Sequence, residues 1–121
     1  MRVLTLALLA TTTQVFAQSA PTTFPADAVP LAASALRETL AGKVYTVKLA
    51  DGASWRWQFK ADGYFFFNSG NFSDTGKWST KESALCSEGR KIPASCNEIR
   101  QLGPELFLKR DNGDVIRMST Q

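Results

Sequence analysis

The chain contains no histidine and only two cysteines among its 121 residues. Without histidine, a Ser-His-Asp triad, a Cys-His nucleophile pair and a histidine-ligated zinc site are all excluded. Eleven acidic residues remain, but their spacing singles out no catalytic pair and no metal site. We therefore expect a non-catalytic protein that uses neither a cofactor nor a metal.

The chain also has no long run of basic residues and no long apolar run. Its formal charge is +3, which falls to +2 if Arg2 is removed with a leader, and this small excess does not indicate a nucleic-acid partner. The apolar stretch Val3–Ala10 is much shorter than the ~20 residues of a membrane-spanning helix. We expect no membrane span, and the composition leaves the oligomeric state open.

The N-terminus has the pattern of an export signal. Arg2 precedes the apolar stretch Val3–Ala10, and Val15–Ala17 is a small-residue cleavage motif. Cleavage near Ala17 predicts a periplasmic or secreted protein. The predicted organisation is a signal peptide over residues 1–17, a flexible tail over residues 18–26 and a single domain over residues 27–121.

The domain is predicted to be all-β apart from one short helix. Asp27 as N-cap and Gly42 as C-cap enclose an apolar stripe, which predicts a helix from about Ala28 to Ala41. After Gly42 the pattern predicts eight short strands, which favour an antiparallel up-and-down meander closing into a small barrel. An open, strongly curved sheet is the alternative. The predicted strands span residues 43–49, 53–60, 64–68, 75–80, 84–87, 95–102, 105–110 and 114–119.

The turn sequences predict the register of these strands. The tripeptide Ala-Asp-Gly occurs twice, eleven residues apart, and allows either a two-residue loop or a three-residue loop with glycine in the left-handed conformation. The longer loop places Phe59 opposite Phe65 and Trp57 opposite Phe67, whereas the shorter loop would pair apolar with polar residues. We therefore predict three-residue loops here and at the Asp-Asn-Gly turn near the C-terminus.

This register collects aromatic side chains on one interior face. They either fill the core of the barrel or line a cavity for a small apolar ligand, and the small size of the domain favours the core. The candidate ligand-binding residues on this face are Tyr45, Trp55, Trp57, Phe59, Phe65, Phe67 and Trp78.

A second group of residues is a candidate partner surface. Tyr64 and Phe66 face outward in the predicted register, where the helix is their favoured cover and a partner is the alternative. Residues 68–75 form a longer, more polar connection, which predicts either a recognition loop or an ordinary turn. The candidate partner residues are Tyr64, Phe66, Phe72, Asp74, Arg90 and Lys91.

The two cysteines, Cys86 and Cys96, are expected to form a disulfide in an oxidising compartment. They enclose a basic loop that contains Arg90 and Lys91. The bridge is expected to staple a small domain, and the alternative is a rigid binding loop.

Four short motifs stand out in the chain: Leu40–Tyr45, Phe59–Gly63, Gly76–Trp78, and Leu85-Cys86 followed by Cys96. Together they resemble small exported proteobacterial families of uncharacterised function with lipocalin-like barrels. That resemblance implies a fold and a compartment, and no catalytic residue. A second resemblance, in size and architecture, is to periplasmic inhibitors of lysozyme or metalloproteases. We expect an exported binding protein for a small apolar ligand or an envelope partner, with inhibition of a secreted or periplasmic hydrolase as the alternative.

Overall fold

The structure, a computed structural model, describes residues 20–121, so the predicted signal peptide lies outside the described residues. Eight antiparallel strands form a closed barrel, in which each strand pairs with the next along the chain and the last pairs with the first. The predicted meander and its closure are confirmed. The barrel strands are β2 (Lys43–Lys48), β3 (Ser54–Phe59), β4 (Tyr64–Ser69), β5 (Phe72–Lys81), β6 (Ala84–Gly89), β7 (Ser95–Leu102), β8 (Glu105–Lys109) and β9 (Val115–Thr120).

Three hairpin turns share one three-residue geometry. In the β3–β4 turn the Lys60 N–H donates to the Tyr64 carbonyl, and the Gly63 N–H donates to the Lys60 carbonyl. Gly63 has φ 92°, in the left-handed region that favours glycine. The β2–β3 and β8–β9 turns repeat these bonds, with Gly52 at φ 90° and Gly113 at φ 93°. The predicted three-residue loops are therefore confirmed.

The register that these turns impose directs large apolar side chains inward. Phe59 lies opposite Phe65, and Trp57 lies opposite both Phe67 and Tyr45. In the last hairpin the two inward-facing pairs are also apolar, with Leu106 opposite Met118 and Leu108 opposite Ile116. These pairs agree with the predicted register, since a slip of one residue would turn each side chain to the opposite face.

The helix α1 (Ala33–Leu40), the one helix within residues 20–121, closes one end of the barrel. Leu36 and Leu40 have no exposed surface and belong to the core cluster. The Thr80 hydroxyl donates to the Ala33 carbonyl at 2.7 Å, and the Tyr45 hydroxyl donates to the Thr39 carbonyl at 3.1 Å. We call this end, where α1 and the β3–β4 turn lie, the closed end, and the opposite end the open end.

The helix starts later than predicted, and Asp27 is not its N-cap. Val29–Pro30 instead forms a ninth strand, β1, which pairs with Gln101 and Arg100 of β7. Proline disfavours a helical conformation at the preceding residue, so Val29 is extended. The N-cap position is Ala32, which makes no side-chain capping bond.

The segment predicted as a flexible tail makes contacts with the barrel over its described part. The Val115 N–H donates to the Pro21 carbonyl at 2.7 Å. The Arg100 guanidinium lies 4.4 Å from the centroid of the Phe24 ring. Residues 20–26 therefore pack against the outside of the barrel through Pro21 and Phe24. No helix in the described range 20–121 is long and apolar enough to cross a membrane.

Candidate ligand-binding site

The open end of the barrel contains a cavity of about 420 Å³, which we call the open-end cavity. Its volume lies in the lower part of the usual range for small-molecule sites, roughly 300–1,000 Å³. Four aromatic residues from three consecutive strands line one side. They are Trp55, Trp57, Phe67 and Phe72.

The aromatic side of the cavity is held by edge-to-face packing. The Phe67 ring lies 5.8 Å from Trp57 at an interplanar angle of 86°, and 5.3 Å from Trp55 at 69°. Phe72 packs on Phe67 in the same manner at 6.1 Å. Aromatic pairs prefer this arrangement. The packing therefore holds these side chains in fixed positions and gives the cavity wall a defined shape.

Trp57 has the one buried side-chain polar atom that lacks a hydrogen-bond partner within residues 20–121. Its side chain is 8% exposed, and its indole Nε1–H meets no acceptor there. A buried donor without a partner costs about 1–3 kcal/mol. By contrast, the Trp78 Nε1–H at the closed end donates to the Lys60 carbonyl at 2.9 Å. Of these two buried indoles, only that of Trp78 therefore has its donor satisfied by residues 20–121.

The opposite side of the cavity is polar, and Asn97 organises it. Its Nδ2 donates to the Lys109 carbonyl at 3.0 Å and to Asp111 Oδ1 at 2.9 Å. Its Oδ1 accepts a bond from the Ser95 hydroxyl at 3.2 Å. These bonds fix the β8–β9 turn against β7, so Asn97 stabilises the wall of the cavity. Both polar atoms of its side-chain amide are already hydrogen-bonded within the protein.

A cation stands at the mouth of the cavity. The Arg110 guanidinium lies 4.9 Å from the centroid of the Trp55 ring, in a cation–π arrangement. Among the described residues, Arg110 forms no salt bridge within 4.0 Å. The mouth therefore combines an aromatic face with a positive charge, and the acidic Asp111 also lines the cavity.

A buried carboxylate, that of Asp74, supports the loop beside the cavity. Asp74 is 8% exposed and faces inward from β5. Its two oxygens accept backbone N–H bonds at 2.9–3.2 Å from Thr75, Arg90, Lys91 and Ile92. This interaction holds Ile92, which lines the cavity, against the end of the barrel.

Two opposing effects act on the pKa of the Asp74 carboxyl. Burial raises it, and the four backbone N–H bonds lower it, with Ile92 and Lys91 contributing most among the bonds. The bonds prevail, so the pKa lies below the ordinary carboxyl value. Gly89 makes the arrangement sterically feasible, because a Cβ at this position would clash with Asp74 Oδ2.

The prediction of a long connection over residues 68–75, as either a recognition loop or an ordinary turn, is wrong. Ser69 pairs with Phe72, so the β4–β5 turn contains only Gly70 and Asn71, with Gly70 at φ 57°. β5 starts at Phe72 and includes Asp74. The polar composition of the segment arises from outward-facing strand positions and from the bonded Asp74 carboxylate, rather than from a long loop.

The structure divides the predicted aromatic group into two sets. One set lines the open-end cavity, as described above. The other set lies deep in the core cluster towards the closed end and is at most 4% exposed. The core set comprises Tyr45, Phe59, Phe65 and Trp78.

Tyr64 and Phe66 lie outside the barrel, 47% and 43% exposed. The expectation that the helix covers them is wrong, because α1 occupies the end of the barrel rather than its side. Each ring instead has a lysine near its face: Lys77 Nζ is 6.0 Å from Tyr64, and Lys60 Nζ is 5.7 Å from Phe66. Neither residue contributes to the cavity.

The basic loop and the disulfide are local features of the β6–β7 hairpin. Cys86 lies directly opposite Cys96 and is bonded to it, so the predicted disulfide is confirmed. Arg90 and Lys91 are exposed. The Lys91 side chain is engaged locally, with Nζ donating to the Ser73 carbonyl at 3.2 Å.

Several cavity residues were absent from the sequence-based candidates. Their positions follow from the two-residue period of a strand. Leu85 and Ile99 face inward, which places Ser87 and Asn97 on the same face, and Leu108 likewise leads to Arg110. The missed cavity residues are Ser87, Ile92, Ser95, Asn97, Leu108, Arg110, Asp111 and Asn112.

A larger groove, of about 1,250 Å³, lies outside the barrel between the N-terminal segment and β9. One of its walls includes Ala20, where the described part of the chain begins. It contains none of the aromatic side chains at the open end. The open-end cavity is therefore the better-defined candidate site.

These features define a class of structure: an antiparallel barrel of eight strands, plugged by a helix at one end and with an aromatic-lined cavity at the other. No group of three or more metal-ligating side chains is found in the range 20–121. Comparisons of the chain with protein-family models, with curated proteins and with solved structures find no match.

Proposed function

We propose that this protein is an exported, non-catalytic binding protein that holds a small, largely apolar ligand in the open-end cavity. The observation that carries the proposal is the position of the cavity inside the barrel, against an aromatic wall of defined geometry. Aromatic side chains offer a large contact area with few rotatable bonds. The size of the cavity favours a ligand of a few rings over a long lipid chain.

Export is part of the same proposal. The N-terminal pattern supports a signal peptide, and the Cys86–Cys96 disulfide suits an oxidising compartment such as the periplasm or the cell exterior. The lipocalin-like resemblance implies the same compartment. The absence of histidine from the sequence supports a function without acid–base catalysis at neutral pH.

The alternative, inhibition of a secreted or periplasmic hydrolase, has less support. Such an inhibitor would use an end loop or the N-terminal tail to enter a partner's active site. Residues 68–75 lie largely in strands, and residues 20–26 make contacts with the barrel. A docking role for the exposed Tyr64 and Phe66 would also need a partner, which pull-down from an envelope extract would identify.

The test of ligand binding is a titration with N-phenyl-1-naphthylamine, an apolar probe whose emission rises in apolar surroundings. We expect saturable binding to one site. The variant Ile92→Trp places a larger side chain in the cavity from its loop and should abolish binding. The matched control Phe66→Trp adds the same side chain on the outer face and should bind as the wild type does. Equal binding by both variants, or none by the wild type, would contradict the proposal.

A further inference from the structure

Two arginines of the described chain are half-buried, and they differ in their partners. The Arg100 guanidinium lies 4.4 Å from the centroid of the Phe24 ring and pairs with the Glu98 carboxylate at 3.1 Å. The Arg110 guanidinium also lies over a ring, that of Trp55 at 4.9 Å. Within residues 20–121, however, it has no carboxylate within 4.0 Å and donates no side-chain hydrogen bond. Burial of a charge is ordinarily accompanied by a partner of opposite charge, and Arg110 lacks one there.

The fold directs Arg110 across the mouth of the open-end cavity. Leu106 and Leu108 face inward from β8, and Arg110 follows them at the same two-residue spacing. Trp55 belongs to β3, and both β2 and β9 lie between β3 and β8 in the sheet. The contact between the Arg110 guanidinium and the Trp55 ring therefore crosses the open end of the barrel instead of joining neighbouring strands. Since both residues line the cavity, the cation stands at its entrance.

The acidic side chains that follow Arg110 in the chain bond to other groups. Asp111 Oδ1 accepts a bond from Asn97 Nδ2 at 2.9 Å, and Asp114 Oδ2 accepts one from Asn112 Nδ2 at 3.3 Å. Asp111, which also lines the cavity, is exposed, so water and salt screen its charge. The guanidinium is therefore available to an anion at the mouth, and its fixed fork of N–H donors suits the oxygens of an anionic group.

We infer that the natural ligand is an organic anion, with an apolar body inside the cavity and one negatively charged, oxygen-bearing group at the mouth, where Arg110 binds it. This inference rests on the proposed function, because it names the class of ligand for the same site. The apolar body contacts the aromatic wall. The contact with Trp55 is compatible with anion binding, since a cation–π contact uses the face of a guanidinium and an anion uses its N–H groups.

The test compares two probes that differ by one sulfonate group: the neutral N-phenyl-1-naphthylamine and the anionic 8-anilinonaphthalene-1-sulfonate. Fluorescence titration gives both dissociation constants for the wild type, for Arg110→Gln and for Lys109→Gln. Lys109 is the exposed, outward-facing neighbour of Arg110, so its variant removes the same charge from outside the cavity. The quantity of interest is the constant of the neutral probe divided by that of the anionic probe. Effects of a variant on the shape of the cavity cancel when this ratio is compared between proteins, as in a double-mutant cycle.

We expect the ratio to fall about tenfold in Arg110→Gln, the size of a charge-assisted hydrogen bond weakened by partial exposure to water. Lys109→Gln should change the ratio by less than about twofold, because solvent screens an outward-facing charge. If the ratio is the same in the wild type and Arg110→Gln, or falls equally in both variants, the inference is overturned while the proposed function stands. Failure of both probes to bind the wild type overturns both.

A second measurement uses the wild type alone and so does not depend on the folding of a variant. Raising the concentration of sodium chloride from about 0.01 M to about 1 M shortens the Debye length from about 30 Å to about 3 Å. The same change should weaken the binding of the anionic probe severalfold relative to the neutral probe, because the ion pair at Arg110 is partly exposed. Effects of salt on the shared apolar body act on both probes alike. An equal response of the two probes to salt contradicts the inference.

Discussion

The two ends of the barrel contain the same kinds of inward-facing residue, but a helix fills one end and the other contains a cavity. At the closed end, Leu36 and Leu40 of α1 fill the space inside the strands, and the neighbouring Phe59 and Phe65 have no exposed surface. At the open end, no helix of the described chain covers the interior, and the aromatic rings surround a cavity instead. The aromatic residues at the two ends are similar, and the presence of α1 at one end alone decides which of them form the core and which line the candidate site.

The two buried tryptophans, Trp78 at the closed end and Trp57 at the open end, differ in the hydrogen bonding of their indole N–H groups. Trp78 lies under α1, where its N–H bonds to the Lys60 carbonyl and the Arg37 guanidinium stands 5.0 Å from its ring. Trp57 is buried to a similar extent, yet its N–H has no partner in the described chain. A residue optimised for packing alone has its polar atom satisfied. The unsatisfied donor therefore marks the open end as a place that is not built for stability alone.

The largest expected effect is on the helix that closes the barrel. Leu40→Ala should lower the free energy of unfolding by about 2–5 kcal/mol, because it leaves a cavity in a well-packed region. The matched open-end variant, Phe72→Ala, removes a larger side chain that is already 40% exposed, and should cost less than about 1.5 kcal/mol. Urea unfolding followed by tryptophan fluorescence measures both. Equal losses would mean that the open end is packed as tightly as the closed end.

Much of this arrangement could be predicted from the sequence, because it depends on local rules. The Ala-Asp-Gly turns set the register, and the register sets which side chains face inward. The alternation does not say how far along the barrel axis a residue lies, so Trp57 and Phe59 could not be assigned to different environments. That assignment depends on where α1 sits, and its start was itself displaced by the pairing of Val29 with β7.

The Asp74 carboxylate illustrates the same limit. Its four donors include three from a loop more than fifteen residues away in the chain, and no local pattern indicates such a contact. The polar residues around Asp74 predict a loop, since Ser, Asn, Asp and Gly favour turns. A buried carboxylate bonded by distant backbone groups produces the same composition inside a strand.

A smaller expected effect is that the stabilities of the two ends respond differently to pH. The pKa of Asp74 is lowered in the folded state, so its stabilisation is present above the unfolded value near 3.9 and is lost as the pH falls through the lower folded value. The pKa of Tyr45, at the closed end, is raised by burial. Its contribution is present below about pH 10 and is lost as the pH rises through the higher folded value. Acid should therefore weaken the open end, and alkali the closed end.

Thermal unfolding of two variants tests this assignment. Between pH 5 and pH 2 the wild-type Tm should fall further than that of Asp74→Asn, although the variant starts from a lower Tm. Above pH 10 the wild type should lose more than Tyr45→Phe. Hydrogen exchange should locate the acid effect in residues 90–92, whose N–H groups bond to Asp74. A parallel acid response of wild type and Asp74→Asn would exclude this carboxylate as its cause.

The smallest predicted effect is the most direct comparison of the two ends. Trp57→Phe and Trp78→Phe remove the same atoms from two buried sites, so their packing losses should be similar. Trp78→Phe also removes a satisfied hydrogen bond to the Lys60 carbonyl and the contact with Arg37. Trp57→Phe instead removes a donor that has no partner. We therefore expect Trp78→Phe to cost about 1–2 kcal/mol more in the free energy of unfolding.

Urea unfolding in the absence of any probe measures this difference, with near-ultraviolet circular dichroism as a check that each variant keeps its packed interior. A saturating amount of N-phenyl-1-naphthylamine should then stabilise the wild type, since a ligand that binds only the folded state stabilises it. If Trp57→Phe instead costs as much as Trp78→Phe without a probe, the Trp57 donor is satisfied in the free protein. The open end would then be a second packed core that merely lacks a helical cover.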